Sequence, residues 1–391
     1  MTILQGTVVA GTRVPMADTL RIVPVRSRAE QRAFVNYPWR LYEGDPNWMP
    51  PLIMNIREML NFKHHPYYDK NKIQAFLAYR DNMVVGRIAA LTNVDHNERY
   101  KEKRGFFGFY ESMEDSAVAK ALFDAARGWL REQGLTDMRG PTNPTMNYEV
   151  ALLVDGFDTP PFFMMTYNKP YYERLFLENS LAKTQDLYSF WGHTNMLDGL
   201  DPKLKYIIDA SKERFNIVVR PMDRKNFQRD LDYFIDIYNR SLVKTWGFVP
   251  FTKDEGVHLA NSLKHLLIPE LTLFAEAEGK PIGFVAGLLD YNPRIKASNG
   301  RLFPFGFIRL LWNRRKIKRM RMISTNVIPE FQSWGVGLVL LNGLLPKVLE
   351  WGIEEGEFSW VLESNHLSRA SLEKGGAKIT KTYRLYDAKI D

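Results

Sequence analysis

From Met322 to Leu345 the sequence reads as a buried strand, a polar turn and the start of a helix. Met322, Ile323, Val327 and Ile328 have the apolar, largely β-branched character of an interior strand. The turn is Gln332-Ser333-Trp334-Gly335-Val336-Gly337, and an apolar helical run starts at Leu338. Glycines at such a junction let a ligand approach the main chain. The first N–H groups of the helix lack partners inside it, so the turn suits a pyrophosphate. The spacing is neither the dinucleotide fingerprint nor the P-loop, which needs Gly-Lys-Ser/Thr. On these residues alone a plain turn is the competing reading.

A second polar stretch runs from Gly140 to Glu149 and is broken by Pro141 and Pro144. Such a density of unusual polar residues suits a site built on a loop. Asn143 and Asn147 are candidate substrate-binding residues, and Glu149 is placed to position or deprotonate an amine. The competing reading is that Asn and Thr satisfy backbone groups of the turn. His64 and Asp69 form an H-x-x-x-x-D pair, but no companion block accompanies it and no catalytic part is assigned to it. The chain has no cysteine, which excludes disulfides, thiolate nucleophiles and cysteine metal sites. No metal site is expected.

Gln332, Gly335 and Gly337, with Val327, Ile328 and Pro329 before them, resemble the acyl-CoA-binding motif of the GNAT acyltransferases, Gln/Arg-x-x-Gly-x-Gly/Ala after a strand. That resemblance implies that Val327, Ile328, Gln332, Ser333, Trp334, Gly335, Val336 and Gly337 hold the acyl-CoA, acetyl or longer, as co-substrate. Backbone N–H groups near Val327 and Ile328 would hold the oxyanion. Trp360-Val361-Leu362-Glu363 is similar to the strand that splays from the CoA strand in this family. Asn365 then matches the residue that contacts the cofactor arm, and Ser368 falls where a small residue is common. Glu149 or Glu363 would take the amine proton. Many members use a helix Tyr to protonate the leaving thiolate, but that position is Leu372. Tyr383 or Tyr386 is the nearby substitute, unless the thiolate leaves unaided.

The elements that must position these residues are an α+β fold of two tandem GNAT-like lobes, mixed sheets flanked by helices. Residues 1–18 are expected to be a loose tail without the features of a signal peptide. Residues 19–195 form a first lobe: strand, helix, a hairpin of Ile73–Tyr79 and Val84–Leu91, an aromatic strand and a helix over 116–133. Its loop Glu111-Ser112-Met113-Glu114-Asp115 has no glycine and three carboxylates, which repel a pyrophosphate. This lobe is therefore degenerate and serves the acceptor. Residues 196–214 are a connecting helix, and 215–391 are the acyl-CoA lobe. Residues 167–188 and 366–386 both read as helix, turn, strand, a sign of internal duplication. Pro346 is expected to kink the helix after the glycine turn. Blocks such as Tyr37-Pro38-Trp39 and Val85-Gly86-Arg87-Ile88 resemble bacterial tandem-GNAT proteins associated with lipid N-acylation.

With 45% hydrophobic and 25% charged residues, the composition is that of a soluble globular protein, and a cytoplasmic one is expected. Net charge is +8. Much of it sits at 291–321, which holds ten Lys or Arg and no Asp or Glu around the apolar block Leu302–Trp312. A contiguous apolar block beside basic residues suits an anionic membrane surface, with 301–321 as the contact. Interleaved stacking residues would point to nucleic acid, which is set aside here. A hairpin packed on the core is the plainer alternative. Two other function classes compete with an N-acyltransferase acting on a small-molecule or lipid amine of sphingoid type. One is a non-catalytic binding protein, the other an aminoacyl or peptidyl transferase with an RNA-borne donor.

Overall fold

A computed structural model describes residues 19–199 and 202–390, so the expected tail at 1–18 and the pair Leu200-Asp201 lie outside the described residues. The first half contains strands β1 (Leu20–Pro24), β2 (Ile73–Arg80), β3 (Met83–Thr92), β4 (Arg104–Ser112), β5 (Asp137–Gly140), β6 (Thr142–Asn143), β7 (Glu149–Val150), β8 (Leu152–Asp155) and β9 (Ala182–His193). Its helices are α1 (Arg28–Leu41), α2 (Ile53–Met59), α3 (Val94–Tyr100), α4 (Ser116–Glu132) and α5 (Tyr172–Glu178). Local chemistry sets their ends. Ser27 and Glu30 form a capping box on α1, with Ser27 N–H donating to Glu30 Oε2 at 2.7 Å. Val118, Leu122, Ala126 and Leu130 form the buried stripe of α4.

The second half begins with α6 (Pro202–Arg214), β10 (Ile217–Pro221), α7 (Phe227–Ser241), α8 (Lys253–Leu263), β11 (Thr272–Ala277) and β12 (Lys280–Leu289). After α9 (Asn292–Ala297) and α10 (Gly306–Leu311) come β13 (Arg319–Val327), α11 (Val336–Trp351), β14 (Glu355–Leu362), α12 (His366–Lys374) and β15 (Lys378–Lys389). α11 runs on through Pro346. Among the described residues no helix is long and apolar enough to cross a membrane.

The two halves share one sheet, in the order β1-β2-β3-β4-β5-β15-β9-β14-β13-β12-β11-β10, with β8 beside β15. The closing strands are exchanged. β15, last in the chain, pairs with β5 of the first half through Tyr386↔Gly140, and β9 pairs with β14 of the second through Phe190↔Phe358. β9 and β15 also pair with each other. Each half thus covers an edge that the other would leave open. The similar helix-turn-strand segments seen in the sequence are the ones that cross.

Each half also has one parallel pair, and each pair forks. β13 and β14 are in register from Arg319↔Glu355 to Met322↔Phe358 and then diverge. β4 and β5 are in register only from Arg104↔Asp137 to Phe106↔Arg139. Parallel strands share a direction, so the starts of α11 and α12 both lie at the open mouth of the second fork.

Candidate active site

The glycine turn lies at the mouth of the second fork. Gly335 has φ +70°, the left-handed region in which an L side chain is strained, and it is the N-cap of α11. No side chain caps that helix and its first turn holds no acidic residue, so no carboxylate of that turn would repel an anion; Leu338 and Val339 N–H both donate to Gly335 O, at 3.0 and 3.1 Å. Gly337 is different. A Cβ there would meet only Thr325 Cγ2, at 3.9 Å, so neither backbone angle nor packing demands glycine. The room it leaves is room for something else. Gln332 holds the turn to the strand, its Nε2 donating to Val327 O at 2.9 Å and Ser241 O at 3.2 Å. Ile328 N–H donates to Ile282 O at 3.0 Å, so alternation along β13 turns the Val327 N–H away from β12, into the fork.

The first fork is filled. β6 threads it, and a Cβ on Gly108 would lie 1.8 Å from Thr142 O. Phe109 N–H, which faces this fork, donates to Asn143 Oδ1 at 2.7 Å. The following helix N-terminus is also taken: Asp115 Oδ1 accepts Ala117 N–H at 2.8 Å and Val118 N–H at 3.1 Å. A carboxylate already sits where a phosphate would bind.

At the root of the open fork lies buried Arg321. Its Nε donates to Ser359 Oγ at 2.8 Å, and Ser359 Oγ donates to Glu357 Oε1 at 2.7 Å. Its Nη1 donates to Met164 O at 2.9 Å and Phe163 O at 3.3 Å. Burial pushes Glu357 above the usual carboxylate range, with Arg321 opposing the shift.

Phe163, Met164 and Met165 also wall a cavity of about 190 Å³ between the halves. Glu149 lines it. Protein encloses this carboxylate, yet it keeps accessible surface because it faces the cavity. Desolvation pushes it up to about 7, and Arg321 draws it partly back. A carboxyl poised there exchanges a proton near neutral pH. His65 lines the same cavity, and its Nδ1 accepts Tyr67 N–H at 3.1 Å. Burial holds the imidazole down to about 4, so the ring is neutral and its proton is on Nε2. Nε2 lies 3.1 Å from Tyr148 Oη and donates to it. The Tyr148 hydroxyl then keeps its own hydrogen to donate, and Tyr148 lines the cavity. His258 of α8 packs on His65, ring centroids 4.5 Å apart, and its Nε2 is 3.4 Å from Glu58 Oε2.

The remaining candidates fall elsewhere. Asn143 fills the first fork, and Asn147 bridges the halves, its Nδ2 donating to Val249 O at 3.0 Å and its Oδ1 accepting Tyr238 Oη at 3.1 Å. Asn365 caps α12, accepting Ser368 N–H at 3.1 Å. That cap places both at the fork mouth. Glu363 is not brought to the cavity; it is half-exposed, paired to Lys183 at 3.2 Å, and accepts Asp186 N–H at 3.3 Å. Nor does Tyr386 reach the glycine turn. Because β15 crosses over, Tyr386 is buried in the first-half core, donating to Glu173 Oε1 at 2.9 Å. His64 and Asp69 are an exposed pair 3.7 Å apart.

Sequence reasoning missed His65, Tyr148, His258 and Glu58. Tyr148 adjoins a chosen residue, and His65 adjoins the discarded His64. His258 carries no signal, because only the docking of α8 against the first half brings it near.

No family profile matches the chain. It is 35% identical over 370 residues to protein YghO of Escherichia coli, covering 93% of this chain and 94% of that protein. It is 33% identical over 375 residues to the bacterial ceramide synthase of Caulobacter vibrioides, covering 94% and 97%. Among solved structures, a tandem GNAT protein from the clavulanic acid biosynthesis pathway superposes over 95% of this chain and 99% of its own, with a TM-score of 0.57 and 11% identity. A GCN5-related glucosamine N-acetyltransferase region of a fungal multi-domain β-N-acetylglucosaminidase gives 0.56 at 15% identity, over 96% of this chain and 38% of that one. The fold is therefore the tandem GNAT fold expected from the sequence.

Proposed function

The chain belongs to the family that includes protein YghO and the bacterial ceramide synthase, and from that premise we propose that it transfers an acyl group from acyl-CoA to the nitrogen of a lipid amine. The donor lies in the second fork. Its pyrophosphate meets the leading N–H groups of α11, and the thioester carbonyl faces Val327 N–H. The acceptor lies in the cavity, its nitrogen near Glu149.

The observation that carries this reading is the shared wall at 163–165. It joins the fork root at Arg321 to a cavity that holds a carboxyl titrating near 7. Glu149 takes one proton from the ammonium, and the freed amine attacks the thioester carbon. As the C–S bond breaks, the nitrogen's second proton passes to the departing sulfur, so CoA leaves as the thiol, and Glu149 releases its proton to water before the next turnover. Holding both partners across one wall supplies orientation. Tyr148 offers the acceptor a fixed hydrogen-bond donor. The sphingoid class of acceptor is supported by the name of the Caulobacter relative.

Incubation with palmitoyl-CoA and a long-chain amino alcohol tests the reading. Stoichiometric free thiol and amide are expected. Saturable palmitoyl-CoA binding with no thiol release from any amine would contradict it, and a non-catalytic binding protein would take its place.

A further inference from the structure

The insertion between β12 and β13 sends its apolar side chains in two directions. Leu310 and Ile317 are buried, and Leu302 and Leu311 pack on the second-half core. Phe303, Phe305 and Trp312 are instead 75%, 73% and 75% exposed, with Phe307 and Ile308 beside them at 45% and 46%. The rings of Phe303 and Phe307 lie 6.2 Å apart, and the other three outward side chains fall within the same ten-residue segment. Single exposed apolar residues are ordinary, but five on one short segment mark a contact surface.

Its charge is of one sign. Between 291 and 321 there are ten Lys or Arg and no acid. Among the described residues the ion pairs of this stretch are those of Lys318 with Glu354 and of Arg319 with Asp290 and Glu355. Arg301, Arg309, Arg315 and Lys316 are exposed on the same segment as the outward aromatic residues.

The segment is also held in place. Arg294 donates to Leu310 O at 3.1 Å and Asn313 O at 2.8 Å, fastening α10 to α9. Gly300 O accepts Ile53 N–H at 3.0 Å, and Trp39 Nε1 donates to Asn299 Oδ1 at 2.6 Å. The base of the insertion therefore leans on the segment around Pro51, and Pro51, Asn292 and Ile295 all line the cavity.

We propose that this patch docks on an anionic bilayer and that the cavity takes its amine from that bilayer. The aromatic side chains enter the boundary between headgroups and acyl chains while the cations meet lipid phosphates. A contiguous apolar block favours lipid over RNA, which needs stacking rings spaced along a polar face. The docking stands without the acyl-transfer reading; the delivery of the acceptor rests on it.

Flotation of the full chain with vesicles is the test. Phosphatidylcholine vesicles with and without phosphatidylglycerol are compared, for wild type and for a Phe305→Ser, Trp312→Ser double variant. Both side chains are mostly exposed, so the variant should melt like wild type. Wild type should float with anionic vesicles and the variant should lose about tenfold in affinity. Turnover of a water-soluble short-chain amine should be equal in the two, while turnover of a vesicle-borne amine falls in the variant. If wild type ignores both vesicles, the docking is overturned. The same holds if it is a dimer that the double variant dissociates, or if it binds RNA with salt dependence and no vesicles. If vesicles bind but no amine is acylated, docking survives and the acyl-transfer reading fails.

Discussion

Asn143 Oδ1 takes the Phe109 N–H at 2.7 Å, inside the fork of the first half. The corresponding N–H of the second half, on Val327, turns away from β12 toward the gap where β13 and β14 diverge. In the proposed function that difference divides the labour of the halves. The first half fills its fork with its own chain, and Pro141 and Asn143 of that filling segment line the cavity. Asn143→Ala leaves the Phe109 N–H without its partner, and a loss of about 1–3 kcal/mol in unfolding free energy is expected from urea titration. Gly108→Ala should prevent folding altogether, because its Cβ would overlap Thr142 O. A folded Gly108→Ala protein of normal stability would mean that β6 does not thread the fork.

Glu149 should govern the pH dependence of turnover. With its pKa near 7, kcat/KM should rise with pH through that value, and Glu149→Gln should lower it about a hundredfold at pH 8. The stability effect has the opposite direction. Burial raises the folded pKa above that of the unfolded chain, so the folded state binds this proton more tightly. Stability is then given up as pH rises from about 4.5 to 7, by about 3 kcal/mol once the group is ionised. Glu149→Gln should melt higher than wild type at pH 8 and level with it at pH 4.5. Identical melting at both would show that no carboxylate is being held against its solvation there.

Most of the fold was legible in the sequence, because each segment is locally consistent. The capping box at Ser27, the hairpins and the apolar stripe of α4 all follow from residues close in the chain. The strand exchange was not legible. Tyr386 shows why. Its local sequence is that of a strand after a helix, and nothing in it says that the strand pairs with β5 rather than with its own half. The site divides the same way. A glycine turn has a local signature, whereas the group of His65, Tyr148 and His258 is made by docking and has none.

Tyr148 should act as a hydrogen-bond donor of fixed polarity. Burial lifts its phenol well above the ordinary range, and His65 stays neutral above about pH 4, so the donor keeps its sense across the working range. Tyr148→Phe should raise KM for the acceptor about tenfold with KM for the donor unchanged. His65→Ala should do the same less sharply, since the hydroxyl would remain but lose its orientation. If Tyr148→Phe changes the donor's KM instead, the cavity does not hold the acceptor.

The most direct test of the central claim is ligand-induced stabilisation. Melting temperature would be measured with no ligand, with CoA and with palmitoyl-CoA, in wild type and in Gly337→Leu. The substitution meets little protein, so the unliganded variant should melt close to wild type. Wild type should be stabilised by both ligands, more by palmitoyl-CoA, by mass action on the folded state. Gly337→Leu should lose both shifts. No shift in wild type, or equal shifts in the variant, would contradict a donor site at the glycine turn.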